Sequence, residues 1–266
     1  MATLVSFHAH PDDESIGTGG SMARAAAEGH RVVLVVATRG EHGEVDDGFL
    51  GDGEALGDRR ERETEASADI LGAARVEFLG YIDSGMIGTA TNDAPGCFWQ
   101  ADVEEAAQRL AAILAEERAD ILTVYDDNGG YGHPDHIQVH RVGVRAAALA
   151  GTPEVYEATI NRDAMARMVA DAKAAGIDVF EGEGEPAEDE VFGVPEAVIT
   201  HAVDVGEWLA VKRASMRPHA SQISESSFFL AMPEDVFARA FGTEWFIRRG
   251  AAVPVEAFSP WLDGLS

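Results

Sequence analysis

Cysteine, lysine and long apolar runs are all scarce in this sequence of 266 residues. Cys97 is the single cysteine, so an intrachain disulfide is excluded, and a reducing compartment suits the chain. No segment approaches the roughly 20 consecutive apolar residues that a membrane-spanning helix needs. The first residues lead directly into a strand-like segment, without the basic region and cleavage site of a signal peptide. We therefore expect a cytoplasmic protein with no membrane anchor.

Positive charge is scarce as well. Lysine and arginine number 20 against 47 acidic residues, which gives a net charge of −27, and Lys173 and Lys212 are the only lysines. A surface this acidic repels phosphate backbones and anionic lipids, so nucleic acid and membrane surfaces are excluded as partners. GC-rich coding combined with solubility, or adaptation to high salt, accounts for this composition, and the sequence leaves both explanations open.

The first half of the sequence alternates regularly between strand-like and helix-like segments. Apolar and β-branched runs predict five strands, at residues 3–9, 31–38, 76–79, 120–125 and 154–160. Helix-like segments lie between them, at residues 15–29, 58–71, 101–118 and 135–150. This alternation predicts an α/β fold with a Rossmann-like, mostly parallel sheet and helices on both faces.

The second half is less regular. Residues 178–195 are acidic and punctuated by glycine and proline, which predicts a surface loop or insertion. A strand is predicted at 198–205 and a helix at 207–217. We expect one domain over residues 1–266, in which 1–150 form the Rossmann-like core and 151–266 complete the substrate site. The oligomeric state cannot be read from the sequence, and a homo-oligomer stays open.

Four of the nine histidines fall in two short segments at the ends of predicted strands, and a fifth, His140, follows one helical turn after the second segment. Residues 8–14 read H-A-H-P-D-D-E, and residues 128–136 read N-G-G-Y-G-H-P-D-H. In an open parallel sheet, ligands bind beyond the carboxyl ends of the strands, where the strand order reverses. The loops after the first and fourth strands flank that point in the commonest order. We therefore expect the two segments to meet and form the active site there.

Three side chains in these segments form a candidate metal site. A catalytic zinc takes three protein ligands and keeps one position open. His10 and Asp13 lie three residues apart at a helix start, and His136 completes a set of two histidines and one aspartate. We expect Zn²⁺ here, although Fe²⁺ or another divalent ion also suits these ligands.

The same segments contain residues for amide hydrolysis. Asp12, next to the ligand Asp13, is the candidate general base, and His133 or Tyr131 could donate hydrogen bonds to the oxyanion. Asp135 is expected to hydrogen-bond His133, fix its tautomer and keep it protonated.

Simpler explanations exist for several of these residues. Proline and acidic residues at helix starts are favoured without any function, so either segment alone would mean little. His8 is expected to be structural, and His140 to support His136 from one helical turn away. The remaining histidines without a pattern are expected on the surface, namely His30, His42 and His201.

Two other functional classes are alternatives to hydrolysis. A metal sensor or carbohydrate-binding module could use the metal site, but it would require neither Asp12 nor His133. A nucleotide-binding protein would carry G-x-G-x-x-G after the first strand, where this chain has H-P-D-D-E.

The motifs A-H-P-D-D-E at residues 9–14 and H-P-D-H at residues 133–136 resemble the two signatures of the LmbE-like, or PIG-L, family of metal-dependent N-deacetylases. The resemblance implies a hydrolase of linear amides. It also implies zinc ligands at His10, Asp13 and His136, and a general base at Asp12. By the same resemblance, His133 stabilises the oxyanion or protonates the leaving amine.

Further segments are similar to the branch of this family that contains N-acetylglucosaminyl-inositol deacetylases and mycothiol S-conjugate amidases. They are residues 125–132, the D-S-G-M run at 83–86, Arg60 with Glu63, and 219–222. The similarity implies sugar or inositol contacts by Arg60 and Asp83, a substrate loop that includes Ser84 and Met86, and oxyanion binding by Tyr131. It implies N-deacetylation of a small molecule that contains N-acetylglucosamine. Cleavage of a larger acyl group from glucosamine is the alternative.

Overall fold

The computed structural model describes residues 1–174 and 192–251. Its strands form one sheet in the order β3-β2-β1-β4-β5-β7-β6. They are β1 Thr3–His8, β2 Arg31–Thr38, β3 Arg75–Tyr81, β4 Ile121–Tyr125, β5 Glu154–Thr159, β6 His201–Asp204 and β7 Thr243–Arg248. The first five strands are parallel, whereas β7 runs antiparallel to both β5 and β6. The predicted α/β fold with a mostly parallel sheet is confirmed.

The strand order reverses at β1. This strand pairs with β2 on one side, where Leu4 lies opposite Val32, and with β4 on the other, where Leu4 lies opposite Ile121. The loops after β1 and β4 therefore leave the same edge of the sheet side by side. The predicted switch point is present between these two strands.

Helices cover both faces of the sheet. They are α1 Gly19–Ala27, α2 Leu56–Leu71, α3 Val103–Glu117, α4 Pro134–Ala150, α5 Arg162–Ala174, α6 Leu209–Met216, α7 Phe228–Ala231 and α8 Glu234–Phe241. One core joins α3 and α4 to the side chains of Val5 and Phe7 on β1. The other joins α1 and α2 to the opposite face of the sheet, where Leu34 is buried. Burial on both faces explains why the central strands are apolar nearly throughout.

The predicted elements of the first half are confirmed with small differences at their ends. The helix predicted at 15–29 begins as a π-helical turn, Glu14–Thr18, and continues as α1. The predicted helix at 207–217 corresponds to α6, which a 3₁₀ turn at Gly206–Trp208 precedes. The strand predicted at 198–205 is limited to β6.

The second half contains elements that the sequence pattern does not predict, including β7 and α8. β7 lies between β5 and β6, so it makes the sheet mixed at this edge. Residues 178–191 of the predicted acidic loop lie outside the described residues. Among the described residues, no helix is long and apolar enough to cross a membrane.

Candidate active site

The loops that follow β1, β3 and β4 converge at the carboxyl edge of the sheet. His10 comes from the first loop, Asp83 from the second, and His136 from the start of α4 after the third. All three residues are buried. The structure therefore brings together two segments more than 120 residues apart, as the sequence analysis predicts.

Asp13 lies between two imidazole rings. Its Oδ2 atom is 3.4 Å from Nδ1 of His10 and 3.4 Å from Nε2 of His136. The same oxygen accepts a hydrogen bond of 2.9 Å from the backbone N–H of His10. Although burial opposes ionisation, the nearby imidazoles of His136 and His10 hold the pKa of Asp13 well below its usual range.

The tautomer of His136 points to a metal ligand. Its Nδ1 atom lies 3.2 Å from the carbonyl oxygen of Gly129, to which it donates a hydrogen bond, so Nε2 carries a lone pair in the neutral ring. Nε2 is buried and has no hydrogen-bond partner in the described ranges. A lone pair that faces the Asp13 carboxylate is unfavourable without a cation between them. The residues present therefore fit a divalent metal ion.

The conformation of the loop after β4 depends on Asp126 and Gly129. Oδ1 of Asp126 accepts hydrogen bonds from the backbone N–H groups of Asn128 and Gly130, at 3.1 and 2.8 Å. Gly129 has φ of 65°, and a Cβ atom there would lie 2.6 Å from Cβ of His136. Glycine is thus required for the carbonyl group that orients His136.

His10 is oriented from behind by two further carboxylates. Its Nε2 atom lies 3.1 Å from Oδ2 of Asp135 and 3.4 Å from Oδ1 of Asp83. A proton on Nε2 leaves Nδ1 free on the side of Asp13, which is the arrangement of a histidine ligand supported by carboxylates. Burial opposes protonation, but the surrounding carboxylates of Asp13, Asp135 and Asp83 raise the pKa of His10 well above its ordinary value.

The expected hydrogen bond between His133 and the carboxylate of Asp135 is not present among the described residues, so this prediction is wrong. That carboxylate accepts hydrogen bonds from the backbone N–H of Ser84, at 2.9 Å, from the hydroxyl of Ser84, and from His10. His133 instead caps α4, and its Nδ1 atom accepts a hydrogen bond of 3.1 Å from the backbone N–H of Asp135.

His133 is therefore held as a neutral ring. Burial, together with the nearby imidazoles of His10 and His136, lowers the pKa of His133 to about 4. The prediction that Asp135 keeps His133 protonated is thus also wrong. The reason is that a helix N-terminus presents N–H groups, which require a lone pair on the capping atom.

Asp12 lies beside these ligands with an unusual backbone conformation, φ of 96°. Its Oδ2 atom accepts a hydrogen bond of 3.2 Å from Arg60. Burial raises the pKa of Asp12 to about 6, and the charge of Arg60 opposes this shift only in part. A carboxyl group with this pKa is mostly ionised at neutral pH and can still accept a proton.

Arg60 and Asp83 are predicted to contact sugar hydroxyls. In the structure, their side chains form hydrogen bonds to backbone groups of the protein. Arg60 is 4% exposed and donates to the carbonyl oxygens of Pro11 and Gly40. Asp83 is buried, and it accepts hydrogen bonds from the backbone N–H groups of His42 and Gly85. Direct contact with a sugar stays a prediction for both residues.

Ser84 and Met86 differ sharply in exposure. Ser84 is 0% exposed, donates to Asp135 and accepts a hydrogen bond of 2.8 Å from the backbone N–H of Trp99. The hydroxyl of Ser84 is thus enclosed and occupied, and its contact with substrate stays a prediction. Met86 is half-exposed, and its substrate contact stays a prediction.

Tyr131 lies over the histidines at the surface of the site. Its ring is 42% exposed, meets His136 edge-on at 5.0 Å between centroids, and stacks on Phe192 at 6.0 Å. Burial of the hydroxyl region and the nearby charge of Asp13 raise the pKa of Tyr131 above its ordinary value. The hydroxyl therefore stays protonated and can donate a hydrogen bond.

Comparison with known proteins places the chain in a family. The family model described as PIG-L, GlcNAc-PI de-N-acetylase, matches residues 5–147. A protein from Acidothermus cellulolyticus named 1D-myo-inositol 2-acetamido-2-deoxy-alpha-D-glucopyranoside deacetylase is 43% identical over 96% of this chain and 91% of its own length. The chain belongs to the PIG-L family. The expected class, an N-deacetylase that hydrolyses linear amides, is confirmed.

Solved structures agree with the fold of this PIG-L protein. The N,N'-diacetylchitobiose deacetylase of Pyrococcus horikoshii has a TM-score of 0.58 and 20% identity, over 92% of this chain and 83% of its own. GalB, the 4-carboxy-2-hydroxymuconate hydratase of Pseudomonas putida, has a TM-score of 0.61 and 18% identity, over 97% and 100%. Identities this low support the fold alone.

Three buried residues of the PIG-L site were not assigned a role from the sequence. Tyr125, the last residue of β4, stacks on His136 at 4.2 Å between centroids, and its hydroxyl lies 2.9 Å from Nδ1 of His8. Glu14 and His219 form a buried pair, with 2.6 Å between Oε1 and Nε2. Glu14 belongs to the motif A-H-P-D-D-E, so its position in the motif could have singled it out.

The other histidines agree only in part with expectation, since His30 and His201, expected on the surface, are partly buried. His8 is buried and bonds to the hydroxyl groups of Ser6 and Thr18, which agrees with a structural role. Nδ1 of His140 lies 3.0 Å from the carbonyl oxygen of Tyr125, so it supports the end of β4 and not His136 directly. His42 is exposed, as expected.

Proposed function

We propose that this protein removes the acetyl group from 1D-myo-inositol 2-acetamido-2-deoxy-α-D-glucopyranoside or a closely similar N-acetylglucosamine derivative. The relative from Acidothermus cellulolyticus, which covers nearly the whole chain, is named for that reaction. The observation that carries the proposal is the buried, unpartnered Nε2 atom of His136, which faces Asp13 beside the carboxylate of Asp12. This combination of a metal site and an adjacent base is what hydrolysis of an unactivated amide needs.

The proposed metal is Zn²⁺, held by Nδ1 of His10, a carboxylate oxygen of Asp13 and Nε2 of His136. Three ligands of this type leave a position open, as in catalytic zinc sites. A divalent ion there lowers the pKa of a water molecule and stabilises negative charge on a carbonyl oxygen.

Asp12 is the proposed general base. Its carboxylate accepts a proton from the attacking water and later passes that proton to the departing amine. Water thereby supplies the hydroxyl group of the released acetate and, through Asp12, one hydrogen of the free amine. The pKa of about 6 suits both steps, because the group is ionised at neutral pH but not strongly acidic.

His133 and Tyr131 are the proposed donors to the oxyanion. The lone pair on Nδ1 of His133 is already used by the backbone of Asp135, so the proton of the neutral ring lies on Nε2. A neutral ring can donate a hydrogen bond but is a poor acid, which favours oxyanion stabilisation over protonation of the amine. The protonated hydroxyl of Tyr131 supplies a second donor.

The proposed partner is a small, uncharged sugar derivative in the cytoplasm. The net charge of −27 disfavours an anionic substrate such as a phosphoinositide, because the field of the whole protein opposes its approach. An uncharged inositol glycoside meets no such barrier. The acidic composition therefore favours the substrate named for the bacterial relatives over a phospholipid.

The experiment is acetate release by metal-free protein that has been reconstituted with Zn²⁺ or Fe²⁺. Substrates are N-acetylglucosaminyl-inositol, N-acetylglucosamine, N,N′-diacetylchitobiose and an N-acetylcysteinyl-glucosaminyl-inositol conjugate. We expect acetate from the first substrate, and its loss on addition of a chelator. Cleavage of the conjugate alone would reassign the protein as an amidase for larger acyl groups. Metal-loaded protein that hydrolyses none of the four would contradict the proposal.

A further inference from the structure

The backbone at Asp12 adopts a conformation that residues with a side chain rarely tolerate. In the described ranges, Asp12 and Arg118 are the non-glycine residues with positive φ, and Arg118 ends helix α3. At positive φ the Cβ atom crowds the backbone, so a conformation of this kind persists only where surrounding contacts impose it. The contacts around Asp12 are therefore informative.

Glu14 accepts a hydrogen bond from the backbone amide of Asp12. Its Oε2 atom accepts a hydrogen bond of 3.0 Å from the backbone N–H of Asp12. Its Oε1 atom accepts a hydrogen bond of 2.7 Å from the hydroxyl of Ser67 and lies 2.6 Å from Nε2 of His219. Glu14 and His219 are both 0% exposed. The amide of Asp12 is thus bonded to one oxygen of a carboxylate whose other oxygen, Oε1, is held by Ser67 and His219.

His219 connects the site to a distant part of the chain. It lies 205 residues after Glu14, beyond the end of α6. Two residues later, Ser221 donates to the Glu63 carboxylate on α2, at 3.1 Å through its backbone N–H and 2.6 Å through its hydroxyl. The segment from 219 to 221 is therefore bound to both the loop after β1 and helix α2.

The other contacts of Asp12 hold different atoms. Arg60 donates to the side-chain oxygen of Asp12. The backbone N–H groups of Ser15 and Ile16 donate to its carbonyl oxygen, at 3.0 and 3.2 Å. Neither set acts on the amide group, whose direction depends on φ. The carboxylate of Glu14 accepts the hydrogen bond that the N–H of Asp12 donates when φ is positive.

We propose that Glu14 and His219 are positioning residues that hold Asp12 at positive φ and thereby aim its carboxylate at the reacting water. The proposal rests on the proposed role of Asp12 as the base. It also predicts a backbone effect, which can be measured without any turnover. Neither residue needs to touch the substrate for this role.

The first test compares Glu14→Leu with Glu14→Gln in the zinc-loaded enzyme. Leucine fills the space but cannot accept the Asp12 N–H, whereas the glutamine amide oxygen can. We expect Glu14→Leu to lower kcat by about 10- to 100-fold with little change in KM, because misaligned catalytic groups cost rate and not binding. Metal stoichiometry should be unchanged, and Glu14→Gln should keep most of the activity. Near wild-type kcat in Glu14→Leu, equal losses in both variants, or loss of metal would overturn the proposal.

The second test reads the backbone conformation from stability. Asp12→Gly and Asp12→Ala both remove the carboxylate, but only glycine adopts positive φ without penalty. In metal-free protein, Asp12→Gly should therefore unfold at a higher urea concentration than Asp12→Ala. In the Glu14→Leu background this difference should vanish, because residue 12 is then released to negative φ. An unchanged difference in that background would overturn the proposal.

A third variant covers a failure of Glu14→Leu to fold. His219→Leu removes one partner of the Glu14 carboxylate, and His219→Gln restores a donor at that place. We expect kcat to be highest in the wild type, lower in His219→Gln and lowest in His219→Leu. Equal values for all three would contradict the proposal. A wild-type protein that releases no acetate refutes the proposed function instead, whereas equal urea midpoints for Asp12→Gly and Asp12→Ala refute the positioning role alone.

Discussion

At the scale of single residues, the candidate site separates carboxylates by what each one faces. Asp13 lies between the imidazole rings of His10 and His136, and these rings hold its pKa low in spite of burial. Asp12, the adjacent residue, accepts a hydrogen bond from Arg60, and burial raises its pKa to about 6. Two neighbouring aspartates thus have different chemistry because their surroundings differ.

This difference predicts that metal binding and turnover can be separated. Asp12→Asn should keep about one metal ion per chain but lose roughly 100- to 10,000-fold in kcat, the usual contribution of a general base. His136→Ala should instead lose the metal, because it removes the unpartnered Nε2 atom. Metal analysis of the purified variants, combined with acetate release, tests both expectations. Asp12→Asn with full activity would rule out this residue as the base.

At the scale of elements, the site depends on how closely α4 approaches the sheet. A Cβ atom on Gly143 would lie 2.3 Å from Cγ1 of Val124 on β4 and 3.4 Å from Phe7 on β1. Contacts as short as the first require the helix or the strand to move. Since His133 caps α4, and Asp135 and His136 lie in its first turn, such a shift would reach the candidate metal site.

Gly143→Ala is therefore expected to destabilise the protein by about 1 to 3 kcal/mol, although alanine is the better helix former. Urea unfolding of the metal-free protein measures the change. Gly17→Ala is the matched control, because its Cβ would meet only Cε1 of His8, at 3.9 Å. A gain of stability in Gly143→Ala would mean that α4 can move away from the sheet at little cost.

An ionic cluster joins three elements at the amino ends of the parallel strands, on the side of the sheet away from the candidate site. Glu117, the last residue of α3, accepts hydrogen bonds from Arg31 at the start of β2 and Arg75 at the start of β3. These hydrogen bonds, chiefly those from Arg31, outweigh burial and lower the pKa of Glu117 from its usual 4.5 to about 2. Because the folded-state pKa is lowered, the stabilisation is complete above the unfolded value and is lost as the pH falls towards 2.

Glu117→Gln should accordingly lower the free energy of unfolding by about 1 to 3 kcal/mol at pH 7. The difference from wild type should narrow as the pH is lowered below 4.5. Denaturant unfolding at pH 7, 5 and 3.5 gives this profile. Glu116→Gln is the control, since Glu116 is exposed and pairs with Arg75 at 3.0 Å, and this substitution should lower the stability less. A difference that is independent of pH would contradict the electrostatic origin.

At the scale of the whole molecule, the excess of negative charge opposes compaction. With a net charge of −27, like charges repel over most of the surface, and salt shortens the range of that repulsion from about 10 Å at 0.1 M to about 3 Å at 1 M. The local ion pairs described above are short and partly buried, so they are screened less. Salt should therefore stabilise this protein.

We expect Tm of the metal-free protein to rise between 0.1 and 1 M KCl by at least about 2 to 4 °C, the shift that 1 kcal/mol produces in a chain of this size. Scanning calorimetry or thermal denaturation followed by circular dichroism provides the measurement. A much larger rise, with unfolding at low salt, would favour adaptation to high salt over solubility alone. A lower Tm at 1 M KCl would contradict the repulsion argument.

The first half of the fold and the core of the site could be read from the sequence because their signals are local. The β-branched run of β2 and the motif around His10 each lie within a few residues. Asp135 illustrates the limit: its position was predicted, but its bonds to Ser84, 51 residues away, were not. Similarly, β7 has too few apolar residues in succession to resemble a buried strand, and pairing with β5 makes it one.

The sequence by itself determined the alternation of strands and helices and the two histidine segments. The reversal of strand order that brings these segments together was expected only from the commonest order of such sheets, and the structure has it. Only the tertiary structure decided which atom faces which. It turned Nε2 of His136 towards Asp13, buried Ser84 and Arg60 behind the site, and brought His219 to Glu14. The physical reason is that periodicity depends on neighbours in the chain, whereas hydrogen-bond partners and burial depend on how separate elements pack.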